Sequence, residues 1–169
     1  MLENPINQIY TTTGFFTPSV FSVLLHHELA RTVRYPSPIS LAILSVCAPA
    51  PLTDEIREGA DMLFYKVLRT KLRQTDIISK YNDNYLVLLT CTDQTGAQIA
   101  IRRVLEHLNT NIVTNDNQTV NLGVCAGLAS QPSGTTRTAE TLLDQASQSH
   151  QAACTSGAGF LIAPNPNSI

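Results

Sequence analysis

The sequence predicts an α+β fold, with a central, mainly antiparallel sheet and helices packed on it. Three observations carry this. Four segments repeat apolar residues at helical spacing, and several short apolar runs have strand length. Two of those runs, 76–81 and 85–91, are separated only by Asn-Asp-Asn, which reads as a hairpin. A hairpin mixed with single helical crossovers excludes a simple doubly wound parallel sheet.

The first helix opens at Thr17-Pro18-Ser19, with a hydroxyl residue at the N-cap and proline at the first helical position. Phe21, Leu24, Leu25 and Leu29 lie on its wide apolar face, and Pro36 and Pro38 end it. The run 39–47 is continuously apolar, which suits a central strand covered on both sides. Segment 48–53 contains Pro49 and Pro51 and is irregular. Asp54 opens a second helix to about Arg73, with Ile56, Ala60, Phe64, Val67 and Leu68 at helical spacing. After the hairpin, a third helix covers about 95–109, with Ala97, Ile101 and Val104 inward. Ile112 and Val113 form a short strand before an Asn-Asp-Asn turn, and 120–126 is a longer one. A polar loop at 131–136, a fourth helix at 138–152 and a short strand at 159–163 complete the order α-β-α-β-β-α-β-α-β.

The length of 169 residues suits one domain, 1–169, with a short lead at 1–11 and a frayed tail at 164–169. An apolar share of 43% argues against disorder. Net charge is −2 and the eleven Lys and Arg are scattered, so no nucleic-acid surface is indicated. The longest apolar stretch, 39–52, is interrupted by serine and proline and falls short of the roughly 20 residues of a membrane span. The start, MLENPINQIY, lacks the basic and apolar regions of a signal peptide. Cys47, Cys91, Cys125 and Cys154 stand apart with no C-x-x-C, and read as reduced thiols in a cytoplasmic protein. His26, His27, His107 and His150 form no ligand set, so no metal is expected.

The hairpin region resembles the signature of GGDEF domains, the catalytic domains of diguanylate cyclases. Arg73 and Asp76 occupy an R-x-x-D, Ile77, Ile78 and Tyr81 follow on the first strand, and Leu86 to Leu89 form the second. The motif turn is Asn82-Asp83-Asn84-Tyr85, one residue shorter than the family's and without glycine. The opening segment, Thr12 to Phe21, is similar to the family's D-x-L-T-G-L-x-N-R-R-x-F. Pro38 to Leu44, Val120 to Ala126 and Leu142 to Gly157 follow the family's later segments in order and spacing. The resemblance implies a GGDEF/nucleotidyl-cyclase-like palm over nearly the whole chain.

The resemblance also implies what chemistry is missing. The family holds two magnesium ions with carboxylates, one from a D-x-D after the first strand. Ser45-Val46-Cys47 stands there instead. Asp83 alone is a poor metal site and reads as a turn residue bonding its own backbone. Cys154 and Ala158 replace the lysine and arginine expected to meet phosphate. No catalytic residue, metal or cofactor is therefore expected, and the chain is not an enzyme. The R-x-x-D is the family's inhibitory site for the product, cyclic di-GMP, and the resemblance assigns it Arg73 and Asp76, with Arg102 from the next helix. The plainer reading of Arg73 and Asp76 is a helix-end ion pair contributing about 0.2–0.5 kcal/mol. The function implied is a catalytically inactive regulatory domain in a bacterial cytoplasm. It would bind cyclic di-GMP and act through a protein partner or homodimer, without nucleic acid or membrane insertion. The alternative is a ligand-independent interaction or dimerisation scaffold.

Overall fold

The apolar run after Pro38 forms β1 (Ile39–Cys47), and all but its last two residues are buried. A continuous apolar strand needs cover on both faces, and β1 has it: it is the middle strand of a five-stranded sheet. The computed structural model describes residues 9–47, 53–110, 112–115, 118–121 and 123–164. Residues 48–52 of the expected irregular segment 48–53, most of the lead and nearly all of the tail lie outside them.

Around β1 the chain adds α1 (Pro18–Arg34), α2 (Asp54–Lys71), β2 (Ile77–Tyr81), β3 (Asn84–Leu89), α3 (Gln94–Thr110), β4 (Ile112–Asn115), β5 (Gln118–Asn121), β6 (Gly123–Gln131), α4 (Ala139–Ser156) and β7 (Phe160–Ile162). The sheet order is β2-β3-β1-β6-β7, antiparallel except for the β6–β7 pair, while β4 and β5 form a separate hairpin. The predicted α+β architecture is therefore the observed one.

Alternation along β1 sorts the core into two layers. Ala42 and Leu44 pack with Phe64, Val67 and Leu68 of α2 and Ala97, Ile101 and Val104 of α3. Ile39, Leu41 and Ile43 pack with Phe21, Leu25 and Leu29 of α1 and Leu142 and Ala146 of α4. Burial of each large side chain contributes roughly 1.5–3 kcal/mol. The segment before α1 is anchored too. Phe15 is fully buried, and Phe16 pairs with Ser79 of β2, whose hydroxyl donates to the Phe16 carbonyl at 2.7 Å. That contact covers an exposed sheet edge.

Three expectations are corrected. Thr17 occupies the N-cap of α1, but its side chain makes no capping bond. The strand expected at 85–91 ends at Leu89, because Cys91 takes a left-handed φ of 48° and the Thr92 amide turns back to the Pro38 carbonyl. The strand expected at 120–126 is two strands, β5 and β6, and β6 continues through Gln131. Its polar end is buried because every group finds a partner. Ser130 and Ser40 share a 2.8 Å hydrogen bond, and Ser40 donates to the Thr92 carbonyl. Gln131 donates to Thr32 at 3.2 Å and accepts from the Arg137 amide at 3.0 Å.

Candidate functional site

The R-x-x-D lies at the corner where α2 ends and β2 begins. Asp76 closes this corner: its carboxylate accepts from the Arg73 amide at 2.8 Å, and its own amide donates to the Arg73 carbonyl at 3.0 Å. The carboxylate is thus anchored by backbone, and the exposed Arg73 side chain is not what holds it. Asp76 is only 4% exposed, and its Oδ1 is buried without a hydrogen bond. Burial pushes the carboxyl above its ordinary range, and the Arg73 amide and charge and, more weakly, the Thr90 backbone oppose that rise.

Arg73 and Asp76 line a cavity of about 250 Å³, walled further by Leu72, Leu89, Thr92, Gly96, Ile99, Ala100 and Arg103. The α3 wall is one helical stripe: positions 96, 99, 100 and 103 recur at the spacing of a single face. Arg102 is off that stripe. Its guanidinium sits over the Phe160 ring at 5.6 Å, away from the R-x-x-D. The arginine that α3 brings to this cavity is Arg103, where Arg102 was expected, and its guanidinium also donates to the Lys71 carbonyl at the end of α2. The stripe was present in the sequence, whereas the family pattern placed the arginine one residue early.

At the motif turn, the loop is only Asn82-Asp83, since Tyr81 and Asn84 already pair. Asn82 adopts a left-handed φ of 53°, a conformation asparagine tolerates. Asn84 and Tyr85, expected in the turn, belong to β3. Asp83 does not bond its own backbone as expected. It pairs with Arg57 of α2 at 3.3 Å, an ion pair whose angle falls short of a hydrogen bond. Beneath it, Tyr85 is buried and stacks on Phe64 with ring centroids 3.8 Å apart. Its hydroxyl donates to Asp61 at 2.5 Å, and Lys80 pairs with the same carboxylate. The space among these groups is only about 10 Å³.

Two further hollows lie away from the α2–β2 corner. A groove of about 380 Å³ beside the hairpin is lined by Phe21, Ile43, Tyr81, Asn84, Asp144 and His150 among others, with no arginine or lysine. An open trough of about 750 Å³ between Thr12-Thr13 and α2, lined also by Lys66, contains none of the predicted site residues.

The cysteines do not stand apart as expected. Cys47 and Cys125 are joined as a disulfide, and the Cys154 Sγ lies 4.0 Å from the Cys47 Sγ. His150 Nε2 is 3.5 Å from the Cys154 Sγ and 2.8 Å from the Ser45 Oγ. Positions far apart in sequence met because β1, β6 and α4 converge here.

No protein-family model matches the sequence, and no curated protein does. Solved structures do. The diguanylate cyclase SiaD of Pseudomonas aeruginosa, solved with its activator SiaC, is similar at a TM-score of 0.78 and 19% identity, over 94% of this chain and 64% of that one. This chain thus spans slightly under two thirds of SiaD. The GGDEF domain of FimX from the same organism matches with a TM-score of 0.78 and 16% identity, over 92% of this chain and 98% of that one. The GGDEF domain of DgcB from Caulobacter crescentus, in complex with c-di-GMP, matches with a TM-score of 0.76 and 12% identity, over 92% and 95%. The chain has the fold of a GGDEF domain. Among the described residues, no helix is long and apolar enough to cross a membrane.

Proposed function

We propose that this chain is a catalytically inactive regulatory domain of the GGDEF fold that binds cyclic di-GMP at the corner between α2 and β2. The observation that carries the reading is one cavity bearing two arginines, Arg73 and Arg103, and a buried carboxylate, Asp76. A guanidinium fork matches phosphate oxygens and the guanine edge, and a carboxylate matches guanine N–H donors. At about 250 Å³ the cavity is smaller than the roughly 300–1,000 Å³ of ordinary ligand sites, so it accepts one end of the dinucleotide. The fold neighbour DgcB was solved with this ligand.

Catalysis is not part of the proposal. Ser45 and Cys47 supply no carboxylate, Asp83 is engaged by Arg57, and the groove beside the hairpin has no lysine or arginine for a triphosphate. A cytoplasmic location goes with the reading, because the dinucleotide is made from GTP inside the cell. Output is through a protein partner or a homodimer. The scaffold alternative draws on exposed apolar residues of α1, Val23 and Val33.

Calorimetric titration tests the site. Cyclic di-GMP binds and GTP competes poorly. Arg73→Ala and Arg103→Ala each weaken binding by on the order of tenfold to a hundredfold, the loss of one charge-assisted contact. Arg73→Lys also weakens it, while Arg102→Ala and Asp83→Ala leave it unchanged. Equal affinity without Arg73 hands the assignment to the scaffold reading.

A further inference from the structure

Three of the four cysteines converge where β1 ends and β6 begins, under α4. Ser45 faces Cys125 and Cys47 faces Gly123 across the strand pair, so Cys47 and Cys125 are diagonal neighbours on one face. His150 and Cys154 stand one turn apart on α4 and meet that face. Gly127 allows the approach: a Cβ there would lie 2.1 Å from the His150 amide nitrogen.

We propose that Cys47, Cys125, Cys154 and His150 form a Cys₃His zinc-binding centre in the reduced protein. Tetrahedral zinc with Zn–S of about 2.3 Å and Zn–N of about 2.0–2.1 Å requires S···S edges of about 3.8 Å and S···N edges of about 3.6 Å. The Cys47–Cys154 edge is 4.0 Å and the Cys154–His150 Nε2 edge is 3.5 Å. All three sulfurs lie within 4.8 Å of one another. With Nδ1 protonated, the Nε2 lone pair of His150 accepts from the Ser45 hydroxyl at 2.8 Å, and zinc would take that lone pair in place of the hydroxyl. Thiolate and imidazole donors select zinc over magnesium, the reverse of a carboxylate site.

The disulfide is the metal-free, oxidised form of the same centre. Two equivalents of a small-molecule thiol together supply two electrons and two protons to the Cys47–Cys125 bond and leave joined as one disulfide. The two thiols so formed, with Cys154, then lose their protons to solvent as zinc binds. None of these groups belongs to the cavity at the α2–β2 corner, so this centre stands or falls independently of nucleotide binding.

The test uses the full chain, metal-free and reduced with a phosphine, titrated with Co²⁺ and then Zn²⁺. One Co²⁺ per chain is expected, with thiolate charge-transfer absorption and a tetrahedral ligand-field spectrum bleached by one equivalent of Zn²⁺. The phosphine-free oxidised protein gives neither signal. Cys154→Ser and His150→Gln each weaken binding by on the order of tenfold or more, and Cys91→Ser leaves it unchanged. Circular dichroism confirms the fold of each variant, and should one variant fail to fold, the other decides. An absent charge-transfer band, an octahedral spectrum, affinity unaffected by losing Cys154 or His150, or a disulfide that persists with Zn²⁺ under phosphine overturns the proposal.

Discussion

Asp61 brings a carboxylate into the core beneath the hairpin, and two donors make it tolerable there: the Tyr85 hydroxyl and the Lys80 ammonium. Tyr85→Phe keeps the stack on Phe64 but leaves one carboxylate oxygen without its donor. The variant is expected to lose about 1–3 kcal/mol in urea denaturation. Asp76 makes a different prediction. Burial holds its folded-state pKa above the ordinary 3.8. Over that interval the folded chain keeps a proton the unfolded chain has released, so stability falls as pH rises through it. Asp76→Asn cannot ionise. The stability of the wild type relative to this variant is therefore greatest at low pH and declines as pH rises toward the folded-state value. Urea midpoints across the acid range check this, and a difference that stays flat contradicts it.

At the scale of elements, legibility followed local signals. β1 was legible to the residue because a long apolar run between prolines has one reading. The hairpin was legible because Asn82 supplies the left-handed turn that glycine usually supplies. The end of β6 was not, since Gly127, Ser130 and Gln131 look like loop residues until their partners on α4, β1 and α1 are known. The Cys47–Cys125 pair was hidden for the same reason, its members standing 78 positions apart. Arg103 was hidden because the family pattern sets its arginine one residue earlier, off the stripe formed by positions 96, 99, 100 and 103. Gly127 yields the element-scale prediction. Gly127→Ala forces α4 off the sheet at His150, and a loss of about 3 kcal/mol is expected by thermal or chemical denaturation.

For the whole molecule, the chain has the fold of a GGDEF domain. The proposed catalytic inactivity rests on the resemblance, by which Ser45, Cys47 and Cys154 stand where carboxylates and a phosphate-binding lysine are expected. Incubation with GTP and magnesium or manganese is therefore expected to yield no cyclic di-GMP above a protein-free control. The proposed site is the corner between α2 and β2, with Arg73, Asp76 and Arg103 around one cavity. The most direct measurement is calorimetric titration of the wild type and Arg73→Ala with cyclic di-GMP. The account predicts saturable binding to the wild type, weakened on the order of tenfold to a hundredfold by the substitution. No heat of binding at high micromolar ligand, or the same affinity in both proteins, contradicts it.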